Sequence, residues 1–407
     1  MTNKTITKLF GYSILIILII SLIRIYNSGY NFWNDSQNID YAITGQIGDF
    51  IGGIVGTIIS IAGFYFLYIT FNNQTKSFER ERLESKFFNM INLHRDNVAS
   101  LKFNAENLVE DQDSLFIENR LYENSDVFTV IFKQFIICRN ELMPFFRDTD
   151  KIYIQDYEEE LKKYDFVVKN SIPIYQLAQI DICYSIIFYG LNSEGLLILN
   201  ELFKKKYKEK FIDDILRFIT LKPAYDEDIF LKWCVLKKRN TKGKRNELVK
   251  RIYDWRRTKK TTDFSEFWEI PENYHNKFLK YYEGHQFRLG HYFRHLYQTV
   301  KFINAQESLD YFTKYEYIKT LRAQLSTYEQ AVLFINSLSE LGKAWEISPE
   351  INNKLTSYSK FDFDLITKYN LIKNLPGDSI YGIHFKAFYN LVEYENENIV
   401  KNRNQYH

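Results

Sequence analysis

FIGGIVGTIISIAGFYFLYITF, Phe50 to Phe71, decides the architecture of this chain. Its 22 residues include no Asp, Glu, Lys or Arg. At about 1.5 Å per residue such a helix reaches about 33 Å, enough to cross the hydrocarbon core of a bilayer. Upstream, LFGYSILIILIISLI, Leu9 to Ile23, is equally free of charge. Together they predict a transmembrane hairpin in residues 1–75, with spans at about 7–26 and 50–71. For the first stretch the alternative is a cleaved signal peptide with Lys4 and Lys8 as its basic start. No alanine precedes Ala42, so the small-residue cleavage site is missing. For the second, the alternative is a buried core helix.

Flanking charge sets the orientation. Lys4 and Lys8 precede the first span, and Lys76, Arg80, Arg82 and Lys86 follow the second. The connection Asn27–Gly48 holds no Lys or Arg and includes Asp35 and Asp40. This asymmetry predicts a multi-pass protein of the inner (cytoplasmic) membrane with both termini in the cytoplasm. Cys138, Cys183 and Cys234 are odd in number and far apart, which excludes a disulfide scaffold and a cysteine zinc site and suits a reducing compartment. Gly52, Gly53 and Gly56 supply a small-x-x-x-small face, for pairing inside the hairpin or between subunits of a homo-oligomer.

Beyond the hairpin the composition is that of a folded domain. Hydrophobic residues are 45% and charged residues 26% of 407, which excludes wholesale disorder, and only six prolines interrupt the helical patterns. A juxtamembrane helix is expected over 76–104. Its apolar stripe, Phe87, Ile91, Val98 and Leu101, includes His94 in the same 4-3-4-3 spacing, so His94 reads as a core histidine with one hydrogen-bond partner. Residues 104–126 are polar and acidic and read as a loop. Helical patterns follow at 127–147, 152–168, 173–190, 194–218, 245–257, 274–303, 308–323, 327–341 and 381–400, and strand alternation is nowhere sustained. The expectation is an all-α protein, a two-helix N-terminal transmembrane hairpin followed by a large helical cytoplasmic domain over 105–407.

Within that domain KKRNTKGKRNELVKRIYDWRRTKK, 237–260, sets twelve Lys or Arg against Glu247 and Asp254. Lys237, Lys238, Arg239, Lys242, Lys244, Arg245, Arg256 and Arg257 offer a surface for anionic inner-leaflet lipid or for nucleic-acid phosphates, with Tyr253 and Trp255 available for stacking. A solvated basic loop is the plain alternative. Direct nucleic-acid contact is not the favoured reading.

The chain has no Walker A, GxGxxG, GxSxG or HExxH pattern, so no cofactor and no nucleotide mechanism is implied. The densest polar constellation is GHQFRLGHYFRHLY, Gly284 to Tyr297. Arg288, His291 and His295 share a helical face and are the catalytic candidates, with Arg294 beside them. His291 and His295 have i, i+4 spacing but lack a third ligand, so no metal is assigned. Further on, Ser326 and Glu329 form an S-x-x-E capping box, with Leu325 as staple and Gly342 as the helix end. Arg322 and Gln324 are placed to meet the Arg288–His295 face.

Arg288 and His295, with six residues between them, resemble the arginine–histidine motif of HEPN ribonucleases. That resemblance implies a membrane-tethered RNase in which the arginine stabilises the phosphorane and the histidine moves a proton. A broader resemblance rests on four pieces in order: IGDFIGGIVGTIISIAGFYFLYITF, ERLESKFFNMINLHRDNV, LGHYFRHLYQTVKFI and LRAQLSTYEQAVLFINSLS. In these the chain is similar to the phage abortive infection (AbiC-like) proteins of bacteria. The family implies a membrane-attached defence protein that stops phage at the expense of the infected cell, and it supplies no catalytic residues to carry over. Similar two-span proteins act as toxic effectors beside reverse transcriptases in retron-like systems, which implies an inhibitory or trigger partner, protein or nucleoprotein. The leading expectation is an effector whose helical domain senses infection and whose hairpin perturbs the membrane. The alternatives are the RNase and a scaffold that recruits a partner to the membrane.

Overall fold

The computed structural model describes residues 41–111, 114–147, 152–162, 172–219, 282–346 and 364–395, together with parts of 11–27. In chain order these form α1 (Tyr41–Ala99), β1 (Lys102–Asp111), β2 (Ser114–Glu123), α2 (Asp126–Leu142), α3 (Gln155–Leu161), α4 (Ile174–Tyr189), α5 (Ser193–Lys204), α6 (Glu209–Ile219), α7 (Gln286–Asn304), α8 (Tyr311–Arg322), α9 (Thr327–Ser337), α10 (Leu365–Tyr369) and α11 (Phe385–Phe388). The protein is mostly helical, as its patterns predict. It divides into two compact units, Met1–Lys86 and Phe87–His407.

In the first unit the described residues between Gly11 and Asn27 are helical. Among them Arg24, exposed, is a charge inside the expected first span. The first 46 residues of the 59-residue α1 belong to this unit. Among the described residues α1 is the one helix long and apolar enough to cross a membrane. Ile54, Ile59, Ile61, Phe64, Leu67, Tyr68 and Phe71 are all exposed along it. The Thr57 and Ser60 hydroxyls donate back to the Gly53 and Gly56 carbonyls and so add no unpaired polar group to this apolar surface.

In the second unit two helices form the centre. Residues 177–188 of α4 are buried without interruption, as are 329–337 of α9, so both are enclosed on all sides. α2 packs on them with Val127, Phe128, Ile131, Phe132 and Phe135. Cys138 of α2 and Cys183 of α4 are both buried free thiols, and burial pushes the Cys183 thiol well above its ordinary range. Caps define the helix starts where propensity alone is weak. Asn192 accepts from Gly195 N–H, Asp310 accepts from Thr313 N–H at 2.8 Å, and Ser326 and Glu329 form the expected capping box.

Several expectations are corrected. Residues 104–126 are no loop: β1 and β2 pair antiparallel, with Phe103 opposite Tyr122 and Lys102 opposite Glu123, the latter joined by a 2.7 Å ion pair. Leu101, Phe103 and Ala105 are buried while Lys102 and Asn104 are exposed, the inside–outside alternation of a half-covered strand. The 194–218 pattern is two helices, broken where Tyr207 pairs with Tyr153 as an isolated bridge. Within the described part of the 152–168 pattern α3 covers Gln155–Leu161, and 163–168 lie outside the described residues; 381–395 is mostly turns, with Tyr381 and Gly382 both at positive φ. α9 ends at Ser337 rather than at Gly342. Gly342 is needed for a different reason: a Cβ there would collide with the Asn336 carbonyl oxygen. The basic segment 237–260, with every lipid or nucleic-acid candidate in it, lies outside the described residues, as does Cys234.

Candidate functional site

The polar constellation predicted from Gly284–Tyr297 is built on α7, and its position is fixed by a backbone crossing. Gly190, ending α4, has φ +80, and Gly284, just before α7, has φ +90. A Cβ on Gly190 would lie 2.6 Å from Glu283 backbone, and one on Gly284 would lie 2.7 Å from Tyr189 backbone. Only glycine permits this approach and these dihedrals. The crossing is held by Leu191 N–H to the Tyr282 carbonyl at 2.9 Å and by His285 N–H to the Phe188 carbonyl at 2.8 Å.

His285 is buried at the N-terminal end of α7. Its Nε2 lies 2.7 Å from the Gln134 Oε1, and its Nδ1 lies 3.3 Å from an Arg288 terminal nitrogen. Arg288 can only donate, so Nδ1 is the acceptor and Nε2 carries the proton. Burial, then the Arg288 charge, lower the pKa of this histidine to about 3. Arg288 itself donates through Nε to the Lys102 carbonyl of β1 at 3.0 Å. Its guanidinium stacks between Phe103 at 4.6 Å and Phe287 at 4.2 Å.

Two turns along α7, His295 Nε2 donates to the Met90 carbonyl of α1 at 2.8 Å. The His295 ring stacks at 6.4 Å on the ring of His94. Between these two points Tyr292 is buried and donates its hydroxyl to Glu329 Oε1 at 3.0 Å. Glu329 is 1% exposed, and its other oxygen accepts from Ser326 N–H at 2.8 Å. Burial raises the Glu329 pKa, opposed by the bonds from Ser326 and Tyr292.

The remaining sequence-predicted residues do not converge here. Arg322 is buried and donates to the Tyr369 and Asn370 carbonyls at 3.1 and 3.0 Å, which ties α8 to the end of α10. Gln324, His291 and Arg294 are exposed. Among the described residues no group of three metal-ligating side chains comes together. At Gly52, Gly53 and Gly56 a Cβ would meet no described atom within 4 Å, so these positions have room for a close neighbour.

A second polar cluster was not expected. The buried Lys206 ammonium lies 2.8 Å from Asp181 Oδ2 and 2.8 Å from Glu340 Oε2. Burial pulls its pKa down, but the two carboxylates pull harder and leave it raised. Tyr207 donates to Asp181 Oδ2 at 2.6 Å, and Glu340 N–H donates to Asp181 Oδ1 at 2.7 Å. A cavity of about 30 Å³ beside this cluster is of water size. The sequence signal for it was Asp181, the one charged residue of α4, since a charge on a fully enclosed helix needs a partner.

Chemically, the α7 arrangement fastens. His285, Arg288, Tyr292 and His295 tie α7 and its N-terminal cap to α2, β1, α9 and α1. Arg288 donates through Nε, and His295 through Nε2, to backbone carbonyls of β1 and α1 at 3.0 and 2.8 Å.

The fold thus defines a class: a mostly helical domain centred on α4 and α9, with α7 tied to several of its elements. Residues 284–380, about a quarter of the chain, match the family model described as "Putative phage abortive infection protein". This matched segment contains α7 and α9, and so two of the four pieces that carry the AbiC-like resemblance. It bears out that resemblance and supports an abortive-infection role. No curated protein and no solved structure matches the chain.

Proposed function

We propose that the protein is a membrane-anchored effector of abortive infection, in which the helical domain controls an apolar helix that perturbs the inner membrane. The observation that carries this reading is the extent of α1. One unbroken helix holds the exposed apolar surface from Gly52 to Phe71 and, at its other end, the turns that pack beside the family-matched α7. Phe64, Tyr65, Phe66, Tyr68 and Phe71 gather at the end of the apolar stretch next to Lys76 and Arg80, the aromatic-then-basic order of a cytoplasmic membrane interface. Gly52 and Gly56 offer a face for a second helix, from the first span or from another subunit.

In this reading infection, or loss of an inhibitory partner, changes the helical domain, and the spans reassemble through the glycine face into a leak. The test is a membrane-potential dye followed during infection, in cells carrying the wild type or the Gly52→Leu/Gly56→Leu variant. Depolarisation that accompanies growth arrest in the wild type, and its loss in the variant, are expected. Arrest without depolarisation, with the variant fully active, overturns the reading. Recovery of the intact chain in the non-membrane fraction overturns the anchor itself.

A further inference from the structure

The stripe of α1 that enters the second unit begins as an ordinary core seam. Phe87 is fully buried with its ring edge-on to Tyr317 at 5.0 Å, and Ile91 is buried one turn later. The next position, His94, breaks the pattern. It is 1% exposed, and neither Nδ1 nor Nε2 has a hydrogen-bond partner. Its neighbouring rings are Tyr292 at 5.2 Å and His295 at 6.4 Å. Both are committed elsewhere, the Tyr292 hydroxyl to Glu329 and His295 Nε2 to the Met90 carbonyl. A neutral imidazole has one donor and one acceptor, and here both are stripped of water without replacement. Leucine or phenylalanine at 94 completes the seam with no such loss. Local conflicts of this kind concentrate where a protein must move.

We infer that His94 is a latch: it keeps the last turns of α1 only weakly seated on α7, so that a small bias from the trigger releases them. This rests on the reading of α1 as the helix through which the membrane is perturbed. On release His94 regains two hydrogen bonds from water. The polar bond surrendered across the seam, His295 to Met90, runs to a backbone carbonyl that water also satisfies. Opening therefore discards apolar packing and little else.

The experiment is hydrogen exchange on the full-length protein in detergent, comparing wild type with His94→Phe and His94→Leu. In the wild type the amides of Phe87–Ala99 are expected to exchange at least tenfold faster than those of α4. At least one variant should slow them at least tenfold, and that variant should lose its growth arrest on infection. Wild-type protection equal to that of α4, or exchange that neither variant slows, overturns the latch. Slowed exchange with undiminished arrest overturns its role in release. The membrane reading fails separately: a wild type that never depolarises, while the variants still slow exchange and lose arrest, discards the leak and keeps the latch.

Discussion

Tyr292 and Glu329, 37 residues apart and both buried, are joined hydroxyl to carboxylate at 3.0 Å, so the cap of α9 is also its attachment to α7. One carboxylate therefore serves a helix end and a tertiary contact at once. Glu329→Ala removes both and leaves the Tyr292 hydroxyl buried and unpaired, an expected loss of about 2–4 kcal/mol. Tyr292→Phe leaves Glu329 its Ser326 bond and should cost about 1 kcal/mol. In a double-mutant cycle by denaturant unfolding the two losses should be less than additive.

The glycine crossing gives the sharpest stability prediction. Gly190→Ala and Gly284→Ala each place a methyl group against backbone at 2.6–2.7 Å in a conformation that disfavours side chains. A loss of more than about 3 kcal/mol is expected, enough to deplete folded protein in cells. Gly53→Ala, with open space around it, should leave the melting temperature of the second unit unchanged.

Acid should destabilise the fold through two histidines. The pKa of His94 is lowered to about 4, by burial and then by His295, and that of His285 is lowered to about 3. Both lie below the unfolded value near 6.5, so between these limits the unfolded chain binds more protons and stability falls as pH falls. The contribution is fully present above about pH 6.5, and by pH 4 each histidine removes about 3 kcal/mol. Melting temperature against pH should show this slope, and His94→Leu should flatten part of it.

Lys206 is the charge that keeps Asp181 tolerable inside the core. Lys206→Ala leaves that carboxylate buried without its cation and should cost about 3–5 kcal/mol. Lys206→Met combined with Asp181→Asn should recover most of the loss. Thermal unfolding of the single and double variants decides the matter.

His295→Ala separates fastening from catalysis. The loss of its bond to the Met90 carbonyl should lower the melting temperature, and purified wild type and variant should leave RNA equally intact. RNA cleavage by the wild type that the substitution abolishes would restore the ribonuclease reading.

What the sequence disclosed and what it hid follow from the range of the interactions. The Ser326–Glu329 box was legible because both partners lie within one helical turn, and the stripe Phe87, Ile91, His94 because periodicity reports burial. The break between α5 and α6 was not, since LLILNELFKKKYKEKFIDDIL reads as one helix. The break is imposed by Tyr153 and Asp181, remote in sequence. β1 and β2 were hidden because their sequences, KFNAENLVED and SLFIENRLYE, mix acidic and polar residues among the apolar ones, so the alternation is too short to stand out from a loop. In the candidate site, the GHQFRLGHYFRHLY pattern drew attention to Arg288 and His295 but not to what they bond. The Lys102 and Met90 carbonyls that hold them lie 186 and 205 residues away. His285 was passed over because its partner, Gln134, is 151 residues upstream.

A proline-free α1 also has a consequence for register. One residue inserted between Asn72 and Arg80 turns all that follows by about 100° and advances it by about 1.5 Å. Seven inserted residues bring the two ends back to within about 20° of their original phase. If the domain speaks to the bilayer by twisting this rod, tolerance to insertions should rise and fall with the helical repeat, like a key that turns only at certain notches.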